Sequence, residues 1–277
     1  MSSKLAIIAG RDDLPRMIAE DCRSRDVPYL VVSFPQDSQD WMSAHPHQEH
    51  LFEKPGRLFR ALREAGVEEV VFAGRTSRPR LRPWLFDAGA LKIVGQVRGL
   101  LRGGDDALLS GLGAIFEAEG FRLRGAQDYL ASLKVEEEGV LGQHSPTVLD
   151  RQDAARGAEI LAALSPHDIG QAVVIAEGVC LGVEAIAGTD ALLTAIMGLP
   201  EELRGARPSG VLIKLPKTGQ DRRVDLPSIG VATIEAAHAA GLNGLAIETG
   251  GINLIDREAV IKAADQTGLF LWAMKSR

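Results

Sequence analysis

Between Val211 and Ile234 the chain reads VLIKLPKTGQDRRVDLPSIGVATI, crowding Lys214, Lys217, Asp221, Arg222, Arg223 and Asp225 into an otherwise apolar stretch that Leu226 and Pro227 close. Such a set suits two linked kinds of chemistry. Lysine and arginine balance the charge that grows on the leaving phosphate when a phosphoanhydride is hydrolysed. A carboxylate can hold a hard divalent ion through oxygen, and the ion can share that charge and position water. The alternative is a solvated loop whose cations pair with Asp221 and Asp225 at the surface, and on spacing alone it stands first. Fully extended, residues 221 to 225 would set the two carboxylates on one face but about 13 Å apart at the usual rise per residue. Unless the loop folds back, one is then a ligand or base and the other has a separate job. Pro227 disfavours a helical Leu226, which predicts Asp225 in extended chain or loop and a helix beginning near Ser228. The unpaired N–H groups of such a helix end favour anions.

Other segments carry weaker signals. Glu177, Glu184 and Asp190 form a second acidic set, in which Asp190 or Thr189 could simply cap the helix that follows GTDALL. AGRDDLP follows a strand and precedes a helix, where a glycine turn at Gly10 can receive phosphate, but Arg11, Asp12 and Asp13 replace the GxGxxG fingerprint of dinucleotide sites. GRTSRPRLRPWLF places Arg75, Arg78, Arg80 and Arg82 before Trp84, Leu85 and Phe86; exposed, these would suit phosphate and a membrane interface, and otherwise they are a basic loop before core-facing aromatics. His45, His47 and His50 in HPHQEH match no standard zinc spacing, and Pro46 breaks helical geometry, so they read as a surface loop. Cys22 and Cys180 lack ligand-like spacing and read as core thiols.

The elements that must position these residues alternate. LAIIAG, a helix from about Leu14 to Arg25, PYLVVSF, a helix near Arg57 to Glu64 and EEVVFAG predict a Rossmann-like parallel sheet covered by helices. FDAGALKIVGQVRGLL and DALLSGLGAIFEAEG suggest two more helices, the second ended by Gly120. KVEEEGVLGQHSPTV loses periodicity, which places a linker at 133–149 between domains 1–132 and 150–277. Beyond a helix near Asp150 to Leu164, AVVIAEGVCLGV reads as a hairpin around Gly178, and VLIKL, GLAIE, INLI and LFLWAM add strands to a second, mixed α/β domain.

At 277 residues with 45% hydrophobic and 25% charged residues, the composition is that of an ordinary globular protein. A net charge of -6 argues against a general nucleic-acid binder, so any anion site must be local. The apolar start is too short for a signal peptide and no later run approaches membrane-spanning length, which predicts a cytoplasmic protein with peripheral membrane contact left open.

Taken together, IIAG with LP, FAG with SRP at 72–79, GDDALL at 104–109, DIGQAVV, VEA before GTDALL, and QDRRVDLPSIGVATI span most of the chain and resemble the LpxI-type UDP-2,3-diacylglucosamine pyrophosphatases of lipid A biosynthesis. The resemblance implies two domains holding a lipid-linked sugar nucleotide between them. It also implies a divalent cation, magnesium or another such as manganese, and hydrolysis to UMP and 2,3-diacylglucosamine 1-phosphate by water directed at the phosphorus nearer the sugar. Asp225 of RVDLP takes the essential carboxylate's place as catalytic residue and metal ligand, with Asp190 and Asp221 as further ligands. Gly10, Thr189, Lys214 and Gln220 become the substrate contacts. Arg11 and Asp12 stand where the family commonly has smaller residues, Ala187 replaces a common acid and Thr218 a common proline. Contact with the inner membrane and homo-oligomerisation fit the same resemblance. Two other functions compete with it. An oxidoreductase on the same scaffold is disfavoured by the absent GxGxxG, and a non-catalytic sensor of the lipid nucleotide would bind substrate without releasing UMP.

Overall fold

The computed structural model describes residues 3–76, 82–90, 93, 95, 105–204, 209–224 and 226–275. The chain divides into two compact units, Met1–Ala131 with Asp221–Asp225, and Ser132–Gln220 with Leu226–Arg277.

In the first unit five strands, β1 (Lys4–Ala9), β2 (Tyr29–Ser33), β3 (His47–Glu49), β4 (Val67–Ala73) and β5 (Arg122–Arg124), form a sheet in the order β3-β2-β1-β4-β5. Every pairing in it is parallel. The central strand is apolar and buried from Leu5 to Ala9 because it is covered on both faces, as a parallel sheet requires. Ala6, Ile8, Leu30, Val32 and Val70 pack with Leu58, Phe59 and Leu62 of the Pro55–Glu64 helix and with Ile115 and Phe116 of the Asp105–Ala118 helix. The Leu14–Ser24 helix buries Leu14, Ile18, Ala19 and Cys22. Gly120 ends the Asp105–Ala118 segment with a φ of 94°, the left-handed geometry that favours glycine there.

One local expectation changes here, and one of two open readings is observed. HPHQEH is not simply a loop: His47–Glu49 pairs with β2, and the His47 ring lies 2.8 Å from Ser33 Oγ. An edge strand asks only for backbone pairing on one side, so a polar sequence suffices. In the basic segment, Trp84 is 79% exposed while Arg82 pairs with the buried Glu53 at 2.7 Å, so the tryptophan does not enter the core. Arg78 and Arg80 lie outside the described residues, as does most of the helix expected in FDAGALKIVGQVRGLL.

The second unit is built on a six-stranded sheet with the order β6-β13-β11-β9-β7-β8. Its strands are β6 (Gly139–Val140), β7 (Ala172–Ala176), β8 (Val179–Val183), β9 (Val211–Lys214), β11 (Gly244–Glu248) and β13 (Phe270–Met274). β9, β11 and β13 run parallel, whereas β7, β8 and β6 pair antiparallel. Alternation along the strands sorts the core into two layers. Val173, Ile175, Val211 and Ile213 meet Ala154 and Leu161 of the Val148–Leu164 helix. Val174, Leu212, Leu245 and Leu271 face Leu192, Ile196, Ile234 and Val260, from the helices Gly188–Met197, Val231–Ala239 and Arg257–Thr267. The Val148–Leu164 helix opens on a reciprocal cap, Thr147 Oγ1 accepting from Asp150 N and Asp150 Oδ2 accepting from Thr147 N, a device worth about 1 kcal/mol.

Residues 133–149, expected as a linker, belong to this second unit. Leu133 and Val135 are fully buried, Gly250 N donates to Val135 O, and Gly139–Val140 extends the sheet beside β13. Burial of those few apolar residues outweighs the charged, glycine-rich surroundings that made the segment look free. The helix expected near Ser228 begins instead at Val231. Ser228–Ile229 is a short strand, β10, paired in parallel with β12 (Asn253–Leu254) as a separate two-stranded sheet. Asn253 N bonds Pro227 O at 2.9 Å and Ile255 N bonds Ile229 O at 2.9 Å, which holds the chain after Pro227 extended. Among the described residues no helix is long and apolar enough to cross a membrane.

Candidate functional site

The chemistry-bearing residues of the second unit gather where β9 ends and β7 begins, since Lys214 is the register partner of Ala172. In open α/β sheets the carboxyl ends of parallel strands are where ligands dock. Lys214, only 4% exposed, donates from Nζ to Ser228 O at 2.8 Å. Gln220 is also buried, and its Oε1 accepts from Gln171 Nε2 at 3.1 Å and from Lys217 N at 3.0 Å. Thr189, buried in the first turn of the Gly188–Met197 helix, donates to Glu184 Oε2 at 3.1 Å. Asp190, next along, is exposed at the surface of that turn, and its backbone carbonyl accepts from Thr194 Oγ1 at 2.8 Å.

Two residues of this cluster did not stand out as ligands in the sequence. Asp168 forms an ion pair with Lys217, and Gln171 orients Gln220. Both belong to DIGQ, whose glycine was the available signal. A Cβ on Gly170 would lie 2.2 Å from Glu184 O, so this glycine lets the segment lie directly against the end of β8. An apolar groove lined by Leu181, Val183, Ala187, Leu192, Ile196 and Leu199 adjoins the same helix start.

The first unit's strand-end turn is organised differently. Gly10 is buried, its N–H donates to Ala73 O at 2.8 Å, and a Cβ on it would come within 2.6 Å of Arg75 O and Gly74 O. Gly10 therefore allows two backbones to touch, and its own N–H is committed to the strand. Arg11 and Arg75 exchange backbone bonds of 2.7 and 3.0 Å. Asp12, in the left-handed region at φ 84°, accepts from Leu14 N at 3.0 Å and from Arg75 N at 3.1 Å. Its carboxylate occupies the position at a helix start where a phosphate would otherwise find N–H donors. Burial pushes the Asp12 carboxyl above its ordinary value, with the two backbone donors working in the opposite sense.

The segment around Asp221 is described up to Val224, and Asp225 lies outside the described residues. Asp221 accepts from Arg223 through both oxygens, at 3.0 Å from Nε to Oδ1 and 2.7 Å from Nη2 to Oδ2. Arg223 Nη1 also donates to Glu117 Oε1 at 2.7 Å. The Arg223 hydrogen bonds hold the Asp221 carboxyl below its ordinary value, burial opposing them. A hard cation needs several oxygen ligands together. Among the described residues no group of three or more His, Cys, Asp or Glu could hold one, and Asp221 is already engaged by a guanidinium. The described residues alone therefore do not compose a metal centre.

Residues 4–133 match the model of the LpxI N-terminal domain, and residues 137–272 match that of the LpxI C-terminal domain. The chain is also 40% identical over 270 residues to the UDP-2,3-diacylglucosamine pyrophosphatase LpxI of Caulobacter vibrioides, an alignment covering 97% of this chain and 96% of that protein.

Proposed function

The chain belongs to the LpxI family, and from that premise we propose that it hydrolyses UDP-2,3-diacylglucosamine to UMP and 2,3-diacylglucosamine 1-phosphate. The observation that carries the reading is the near end-to-end identity of 40% with a pyrophosphatase of that name. In the reaction, a water oxygen bonds to the phosphorus nearer the sugar and the bond from that phosphorus to the bridging oxygen breaks. The bridging oxygen leaves with UMP, and the water protons pass to solvent or base.

Under this reading Asp225 positions the attacking water. Lys214, Gln220 and Thr189 bind the substrate at the second unit's strand ends. Buried polar groups such as Lys214 and Gln220 suit this task, because they are held in place before the ligand arrives. The proposal includes a requirement for magnesium or manganese, with Asp225, Asp190 and Asp221 as the residues that would hold the ion. A divalent ion would neutralise diphosphate charge, and Asp221 would have to exchange its guanidinium partner to join it. Contact with a lipid surface also belongs to the proposal, supported by the exposed Trp84 beside Arg82.

The test is UMP release from UDP-2,3-diacylglucosamine by the purified protein, with magnesium and with chelator. Release that magnesium supports and chelator abolishes is the expected result. Intact substrate binding with no release under any divalent ion would instead identify a sensor of the lipid nucleotide.

A further inference from the structure

One ion pair of the second unit has no part in the roles above. Asp168 follows the short helical turn Ser165–His167 in the left-handed region at φ 56°, a conformation that aspartate tolerates better than most residues. Its Oδ1 pairs with Lys217 Nζ, and the two side chains are 24% and 11% exposed. Its Oδ2 is buried without a hydrogen-bond partner among the described residues. Among the described residues, the side chain of Asp168 is thus directed to Lys217 alone.

The backbone around Lys217 does not need that pair. Thr218 N donates to Ser165 Oγ at 2.7 Å, Leu215 N to Gln171 O at 2.9 Å, Lys217 N to Gln220 Oε1 at 3.0 Å and Gln220 N to Lys217 O at 3.2 Å. These bonds already fix the turn from 215 to 220 against the segment 165–171. What the carboxylate adds is control of a long, flexible lysine side chain. An ammonium carries three donors, and among the described residues Asp168 engages one of them, leaving two for an anion. The position is also apt, on the loop leaving the carboxyl end of β9 beside Lys214 and Gln220.

We propose that Lys217 binds a phosphate of the ligand and that Asp168 is its positioning residue. The carboxylate holds the ammonium in its binding rotamer and balances its charge while no ligand is bound. Identification of that ligand as a sugar nucleoside diphosphate rests on the function proposed above; the anion-binding role does not.

Steady-state UMP release by Lys217→Met, Asp168→Asn and the double variant tests the pair. Loss of a charge-assisted hydrogen bond predicts a KM raised about tenfold or more in Lys217→Met, with kcat altered less. Asp168→Asn should raise KM by a smaller factor, and the double variant should be no worse than Lys217→Met, because the two residues act as one unit. A KM unchanged in Lys217→Met overturns the proposal. So does an Asp168→Asn effect that persists undiminished in the Lys217→Met background. If Asp168→Asn does not fold, Asp168→Glu, which keeps the charge, should recover the parent's KM, and failure to do so with Lys217 intact counts against positioning. Should the parent protein release no UMP, the functional reading falls by itself. Calorimetric binding of inorganic pyrophosphate then decides the pair, with about tenfold weaker binding to Lys217→Met expected and equal binding overturning it.

Discussion

The first unit's strand-end turn and the second unit's strand-end cluster meet the same physical problem with opposite signs. In the first, Asp12 accepts from the N–H groups of Leu14 and Arg75, so the donors that a phosphate would use are satisfied by the chain's own carboxylate. In the second, Lys214 is buried at the end of β9 and Lys217 stands beside it, with Gln171 and Gln220 bonded to each other. Strand topology offers an anion-binding position in both units. A single side chain in the turn decides whether that position is closed from within or furnished with cations.

The largest expected effect belongs to Asp225→Ala, which should stay folded yet lose roughly a hundredfold or more of UMP release. Near-normal turnover by the folded variant would take Asp225 out of the mechanism. Next comes Lys214→Met, expected to lower kcat/KM for UMP release about tenfold or more, as loss of a charged donor does. Parent-like kinetics would remove the contrast between the two strand ends, because the buried cation would then have a structural task, as in its bond to Ser228 O.

A smaller change sharpens the comparison from the other side. Asp12→Gly keeps the φ of 84° without strain while freeing the N–H of Leu14, that of Arg75 keeping its bond to Arg11 O. Thermal unfolding should show a loss of only about a few tenths of a kcal/mol, the usual cost of exchanging such a cap for glycine. Added inorganic phosphate should then raise the variant's Tm more than the parent's, since a ligand that binds only the folded state stabilises it. An identical phosphate response in both would mean that Asp12 does not block the turn.

The smallest effect concerns acid stability. Arg223 holds the Asp221 carboxyl below its ordinary value of 3.8, so the folded state binds that proton less readily than the unfolded chain. The contribution is complete above pH 3.8 and is lost as pH falls through the lowered folded value. Arg223→Gln should therefore flatten the fall in stability below pH 3.8, as read by Tm against pH. An unchanged slope would leave the ion pair without thermodynamic weight.

How far the sequence speaks differs between elements for physical reasons. Strands β1, β2, β4, β7, β9, β11 and β13 are long enough for an apolar run to rise above its surroundings, and both helical layers carry caps or glycine stops. Strands β6 and β10 have two residues each, too few to show any period, whereas β12 is legible within INLI although its pairing with β10 in a separate two-stranded sheet is not. β3 was hidden because HPHQEH pairs through backbone and shows no apolar pattern. In the site, Thr189, Lys214 and Gln220 stood in quotable motifs. The pairing of Asp168 with Lys217 spans 49 residues, and no local rule links them.

β6 has one further consequence, for how the protein can be cut. Gly139–Val140 covers the outer side of β13, whose sequence FLWAM is apolar and carries no charge. A gene fragment beginning at residue 150 would leave that strand as a bare edge, open to pairing with the same strand of another molecule. A fragment that starts at Ser132 keeps the edge covered, and the difference between the two would appear as aggregation during purification rather than as any change in chemistry.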